Sequence, residues 1–288
     1  MTAAASDLLA LAKPRITALV VFTTASGLWL APRGVPARTV VFTLIGTVLI
    51  VAAANVLNMY LERDSDALMT RTMNRPLPAH RMEPDAALRF GIALAVISVP
   101  LLTFGVGALP GLLASIALVS YVLLYTPMKR QTATALLVGA LPGAIPPLIG
   151  WTAATERLDL PGVLLFAVMF LWQVPHFLAI TLFRREEYAR AGLQVQVNES
   201  GGERRARLNI VLYTAAVVSA SVLFVPLGIG RGFYFATALL AGLLFLGYGI
   251  KGLRAEAGER WARNEFLFSL AYLTVLFAVL MLDRAPRA

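Results

Sequence analysis

A bundle of about nine transmembrane α-helices around a central cavity open toward the cytoplasmic side is the fold this sequence predicts, as one integral-membrane domain over residues 1–288. Three observations carry that expectation. The composition is 58% hydrophobic and 14% charged, with a mean hydropathy of +0.74, whereas soluble domains average about 45–50% apolar and about 25% charged. Apolar runs of membrane-crossing length recur along nearly the whole chain, without the period-two alternation of a barrel strand, so helices rather than a barrel satisfy the backbone in hydrocarbon. Finally, Lys and Arg crowd into alternate connections, as inner loops require.

A helical span needs roughly 20 apolar residues. Runs of that kind lie at about 15–31, 39–60, 87–105, 109–127, 133–153, 161–182, 208–226, 232–250 and 265–282. Pro142, Pro146 and Pro147 make the fifth run the one expected to be kinked or broken. With the N-terminus inside, the inner segments hold 19 Lys and Arg residues and the outer ones 6, namely Arg33, Arg38, Arg157, Arg231, Arg284 and Arg287. That asymmetry predicts a cytoplasmic N-terminus and, after nine crossings, a C-terminus outside. The two longest connections, at about 61–86 and 183–207, both fall on the inner side.

The net charge of +9 and pI near 10.3 belong to this topological bias rather than to nucleic-acid binding. Cysteine is absent, which removes disulfides, thiolate metal sites and a cysteine nucleophile. The opening MTAAASDLLALAKPR has no basic stretch ahead of a cleavable apolar one, so no signal peptide is expected. Phosphate-loop, HExxH and serine-elbow motifs are also missing.

The strongest chemical signal is NVLNMYLERDSDALMTRTMNRPLP, from Asn55 to Pro78. Residues four apart share a helix face, which aligns Asn58, Glu62 and Asp66. Oxygen donors one turn apart suit Mg²⁺, which combines a few carboxylates with phosphate oxygens and water. Arg71 and Arg75 are placed to hold the anionic end of the same ligand. Snorkelling to anionic lipid explains the arginines but not three acids within five positions. The spacing therefore predicts a metal-diphosphate site at the cytoplasmic boundary.

Two further segments reach that boundary. In YTPMKR, Tyr125 and Lys129 are four apart, with Arg130 next in line; Lys129 is suited to stabilise charge on a departing diphosphate, and an interfacial anchor is the alternative. The apolar GALPGAIPPLIGW that follows suits close helix packing or a backbone-lined cavity. The sixth run ends FLWQVPHFLAITLFRREEYARAG, where Trp172, Gln173 and His176 interrupt hydrocarbon and Pro175 interrupts the helix. A histidine there is a functional candidate, including as a haem-iron ligand, or else an interhelical hydrogen-bonding group.

These three segments resemble the UbiA-type intramembrane prenyltransferases over nearly the whole chain, and WQVPHF with EEYARAG resembles the heme-directed branch of that family. The resemblance implies nine helices, a polyprenyl diphosphate and Mg²⁺. Asn58, Glu62 and Asp66 match the family's NxxxDxxxD, with Glu62 in place of the middle Asp and Asp64 able to share its task as a metal ligand, and Tyr125 and Lys129 match YxxxK. In the second DxxxD, expected just before Gly192, Arg184 and Tyr188 take the two Asp positions and Glu186 and Glu187 lie between. Arginines such as Arg184 and Arg185 there would suit a dianionic second substrate through its propionates.

The implied reaction transfers a farnesyl group from farnesyl diphosphate to a vinyl group of heme B, giving heme O. Its implied catalytic residues are Lys129, Tyr125 and His176, the last to orient heme, ligate its iron or manage the water; Arg71, Arg75, Arg130, Trp172, Gln173, Arg184, Arg185, Glu187 and Tyr188 would bind substrate. Heme is a substrate in this scheme, the bilayer is the solvent, and a downstream heme-modifying enzyme or terminal-oxidase assembly factor is a candidate to dock on the inner loops. The alternatives are prenylation of a quinone precursor or chlorin, and a transporter of heme or lipid.

Overall fold

The computed structural model describes residues 3–32 and 34–285; Arg33 and Arg287, two of the six outer cations, lie outside them. The described residues form helices α1 (Ala3–Leu11), α2 (Pro14–Leu30), α3 (Ala37–Asp66), α4 (Pro84–Gly105), α5 (Ala108–Val119), α6 (Thr126–Met128), α7 (Ala135–Thr155), α8 (Leu160–Phe183), α9 (Arg185–Arg190), α10 (Gly202–Val222), α11 (Gly232–Lys251) and α12 (Glu259–Leu282). A π turn, Ser120–Tyr125, joins α5 to α6 in a single rod. Counting that rod once, nine long helices make up the bundle among the described residues. Seven are long and apolar enough to cross a membrane by length and composition alone. The other two are α2, which has 17 residues, and α10, which opens on the charged GERRAR.

Helix α3 continues beyond the predicted end at about residue 60. Its 30 residues extend for about 45 Å at 1.5 Å per residue, while the hydrocarbon is about 30 Å thick. The surplus turns carry Glu62 and Asp66 on an unbroken helix into the interfacial zone. The Thr72 hydroxyl donates to the Asp66 carbonyl at 2.7 Å and closes the end. Beyond it the chain folds as turns rather than helix, and a cluster of Leu11, Val56, Met59, Leu77 and Ala87 binds these turns and α1 to α3.

The expected break in the fifth span does not occur. Helix α7 runs through Pro142, Pro146 and Pro147, and α8 runs through Pro175. A proline removes one rung of the ladder, but helices held on several sides by neighbours tolerate that loss; α7 contacts α2, α3, α5 and α8. The irregular backbone lies one span earlier, in the π turn. There the Thr126 amide and hydroxyl both donate to the Tyr121 carbonyl, the hydroxyl at 2.8 Å, just ahead of Pro127, which has no N–H to give.

Small residues set the closest helix approach. A methyl group added at Gly150 would lie 1.9 Å from the Thr24 carbonyl oxygen, and one at Gly27 would lie 2.1 Å from the Pro147 carbonyl oxygen. The backbones of α2 and α7 therefore touch directly, as small residues permit. At one end of the bundle α1 rests on α3. At the other, Arg284 donates to the Trp29 carbonyl at 2.8 Å and Gly230 bridges to Arg284.

Candidate active site

Glu62 and Lys129 form an ion pair between the C-terminal end of α3 and the segment after α6. Asn58 lies one turn before Glu62. Its Nδ2 donates to Glu62 Oε2 at 2.9 Å and to Thr126 Oγ1 at 3.0 Å, which ties α3 to the first residue of α6, just past the π turn. One turn past Glu62, Asp66 is 1% exposed and accepts from Arg75 Nη1 at 2.6 Å. The turns after α3 make this possible, because Arg75 N bonds Thr72 O and Met73 N bonds Met69 O, folding the chain back toward its own helix. Three oxygen-bearing side chains and two cations thus share one face.

The connection between α8 and α10 closes over this end. Gln194 N donates to the Lys129 carbonyl at 2.7 Å, and Thr70 Oγ1 donates to Glu187 Oε1 at 3.2 Å. Tyr188 lines a cleft of about 60 Å³ with Tyr125, Lys129, Gln194 and Gln196. Tyr125 also lines a larger cavity, and the Lys129 ammonium stands 4.5 Å from its ring centre. Gly139 provides the room, since a methyl group there would come within 2.4 Å of that ring.

The larger cavity has a volume of about 330 Å³ and lies between α2, α3, the π-turn rod, α7 and α8; ligand sites span about 300–1,000 Å³. Its walls are mostly apolar, with Ile16, Leu19, Val51 and Leu118 among them. Trp172, Gln173 and His176 form one side. Trp172 Nε1 donates to the Ser269 carbonyl at 2.7 Å, His176 Nδ1 lies 2.8 Å from Ser269 Oγ, and the His176 ring stacks on Trp172 at 4.6 Å. Gln173 Nε2 donates to the Ala140 and Met169 carbonyls. α12 therefore fixes the histidine from behind while its ring faces the cavity.

The other expected residues divide. Asp64 is two positions from both Glu62 and Asp66, about 200° round a helix; its side chain is 82% exposed and paired with Arg63 at 3.8 Å. It does not share the face, which corrects its place among the metal ligands. Arg71 and Arg130 are exposed at the same end. Arg184 pairs with Glu187 at 2.6 Å and Arg185 with Glu203 at 3.3 Å, so both arginines engage acids of their own segment.

Lys13 belongs to this site, although in sequence it read only as an inner-loop cation. At the start of α2, in a left-handed conformation with φ 48°, its ammonium lies within the electrostatic reach of Arg75, Lys129, Glu62 and Asp66. Burial first, then the neighbouring Arg75 and Lys129, push its pKa down to about 7. The available signal was its position immediately before Pro14, where the α2 helix starts and the chain turns back on itself.

Asn58, Glu62 and Asp66 offer the amide and carboxylate oxygens Mg²⁺ prefers. Among the described residues no three His, Cys, Asp or Glu side chains converge as a metal cluster. The set fits an ion whose remaining ligands are phosphate oxygens and water rather than one caged by protein alone.

Residues 20–271 match the model of the UbiA prenyltransferase family. The chain belongs to the UbiA prenyltransferase family. It is 53% identical over 279 residues to protoheme IX farnesyltransferase of Sorangium cellulosum, covering 92% of this chain and 99% of that one. It is 52% identical over 283 residues to the protein of the same name from Myxococcus xanthus, covering 98% and 96%. Among solved structures it resembles that of a digeranylgeranylglyceryl phosphate synthase, with a TM-score of 0.82 at 17% identity over 96% of this chain and 97% of that one. It also resembles a UbiA homolog from Archaeoglobus fulgidus bound to GPP and Mg²⁺, with a TM-score of 0.65 at 17% identity over 95% and 99%. As a UbiA prenyltransferase the chain is an enzyme of the membrane, and its fold is the one the nine apolar runs predicted.

Proposed function

We propose that this chain transfers the farnesyl group of farnesyl diphosphate to a vinyl group of heme B, adds water, and releases heme O and diphosphate. One juxtaposition carries the reading: Glu62 with Lys129, and Asp66 with Arg75, stand at the end of an apolar cavity whose side wall carries Trp172, Gln173 and His176. The names of relatives at 50–53% identity supply the heme.

The residues act in sequence. Arg75, Lys129 and Lys13 gather the diphosphate, and Asn58, Glu62 and Asp66 would hold the Mg²⁺ that comes with it. When bound, that ion adds positive charge against the leaving group. As the allylic C–O bond breaks, its electron pair stays on diphosphate and Lys129 stabilises the growing charge. The apolar cavity keeps bulk water from the farnesyl cation. The vinyl π electrons close the new C–C bond, leaving a cation on the carbon next to the porphyrin, where water adds and loses a proton. His176, fixed by Ser269, orients the heme or ligates its iron.

The 19-to-6 distribution of cations supports a cytoplasmic position for the diphosphate end and the N-terminus, with the C-terminus outside the cytoplasmic (inner) membrane. The test is turnover in membranes supplied with heme B, farnesyl diphosphate and Mg²⁺, followed by mass spectrometry. Heme O is the expected product. Active membranes that prenylate an aromatic acid and form no heme O would overturn the reading.

A further inference from the structure

The cavity wall holds a side chain that the site so far leaves idle. Asn55 is 5% exposed, lines the cavity, and its Nδ2 has no hydrogen-bond partner. Leaving a buried amide unsatisfied costs about 1–3 kcal/mol, so the position needs an occupant that the bare chain lacks. The other polar groups of the cavity are differently placed. Gln173 Nε2 is committed to two carbonyls, Trp172 Nε1 and His176 Nδ1 to Ser269, which leaves only the far ring nitrogen of His176 toward heme, and Thr23 to the Val20 carbonyl. Thr47 Oγ1 is also unpartnered and also lines the cavity, but it is eight residues from Asn55, about 12 Å along the helix. Asn55 is thus a buried amide without a partner near the diphosphate end, three residues before Asn58.

Tyr121 lines the same cavity, and two hydrogen bonds set its level. Asn58 donates to Thr126 Oγ1, and that hydroxyl donates to the Tyr121 carbonyl. The π turn therefore holds Tyr121 at the height of Asn58 and Asn55 on the adjoining wall. An amide and a phenol supply the two or more polar partners that an ordered internal water requires. An amide serves such a water in either orientation, because a half-turn of the side chain exchanges donor and acceptor.

We propose that Asn55, with Tyr121, holds the water molecule that hydrates the farnesylated vinyl group. This rests on the farnesyl transfer proposed above and assigns the source of its hydroxyl. The bound water's oxygen bonds to the cationic carbon next to the porphyrin, and its surplus proton passes to the diphosphate released in the same turnover. Without the positioned water the same cation loses a proton from the neighbouring carbon to diphosphate, which leaves an alkene lighter than heme O by one water.

The test is the ratio of the two products by mass spectrometry, in membranes carrying the wild type, Asn55→Leu, Asn55→Ser and Tyr121→Phe. The expected result is an alkene fraction raised roughly tenfold in Asn55→Leu, the factor lost with one hydrogen bond. Total farnesyl transfer stays within a few-fold, and Asn55→Ser, which leaves space for a second water, restores the hydroxylated product. Tyr121→Phe, which deletes one oxygen, should shift the ratio in the same direction and covers the case in which Asn55→Leu fails to fold. Unchanged ratios in Asn55→Leu and Tyr121→Phe overturn the water assignment while leaving farnesyl transfer intact. A wild type that forms neither product overturns the function itself, and the water assignment with it.

Discussion

Arg75 places its guanidinium 2.6 Å from the carboxylate of Asp66, nine residues earlier, and buries that carboxylate to 1% exposure. The pair joins stability to chemistry. Removing one partner of a buried ion pair leaves an uncompensated charge, at about 3–5 kcal/mol. Arg75→Ala is therefore expected to lower both turnover and the thermal midpoint. Asp66→Asn keeps the shape and an acceptor for Arg75, whose side chain is 21% exposed and so partly reaches solvent, and should lower turnover by about a hundredfold with a smaller loss of folded yield than Arg75→Ala. Wild-type turnover in Asp66→Asn would remove it from the metal and diphosphate site.

Lys13 gives the site a pH dependence. Its pKa lies at about 7 rather than 10.5, so between those values the folded chain binds fewer protons than the unfolded one. The cost of burying the charged form is full below about 7 and is relieved as the pH rises toward 10.5. Diphosphate favours the charged form, so its binding takes up a proton. Affinity for farnesyl diphosphate should weaken as the pH rises above about 7, and Lys13→Gln should bind weakly with a flatter profile. Identical profiles in the two proteins, measured by isothermal titration, would remove Lys13 from the ligand site.

Glu265 lies in α12 at 0% exposure with neither carboxylate oxygen hydrogen-bonded. A buried acid without a partner is destabilising, and replacing it with an apolar side chain of similar volume removes that cost. Glu265→Leu is expected to raise stability by about 1–3 kcal/mol, read as a higher thermal midpoint in detergent. A lower midpoint would mean that the carboxylate is satisfied inside the bundle.

Two glycines of α7 should fail differently when changed to alanine. At Gly150 the added methyl meets the Thr24 backbone at 1.9 Å, which cannot give way without separating α2 from α7. At Gly139 it meets the Tyr125 ring at 2.4 Å, a side chain that can swing into the cavity. Gly150→Ala should cost about 1–3 kcal/mol of stability through overpacking. Gly139→Ala should fold and lose turnover. Equal loss of stability in both would refute the separation.

Much of this was legible in one dimension because its cause is local. The oxygen face of α3 follows from four-residue spacing, so Asn58, Glu62 and Asp66 were identified together and are found together. The same arithmetic, with the contact geometry, puts Asp64 outside the group. The ends of the spans were less legible, because hydropathy marks where hydrocarbon stops and not where a helix does: α3 runs on to Asp66. Proline signals overstated the break for a related reason. Breaking strength is a property of an isolated helix, and the packed neighbours of α7 and α8 supply what Pro142, Pro146, Pro147 and Pro175 withhold.

By itself, then, the amino-acid sequence determined the membrane helices, their charge asymmetry and the acidic face of α3, since each follows from composition or from spacing along one helix. Tertiary structure alone decided which cation answers which acid. Lys129 meets Glu62 across 67 residues of chain and Lys13 approaches from another helix start, because long-range pairing depends on how helices cross and where the turns after Asp66 fold back. It likewise decided that Asn55 goes without a partner, a property of everything around the residue rather than of the residue.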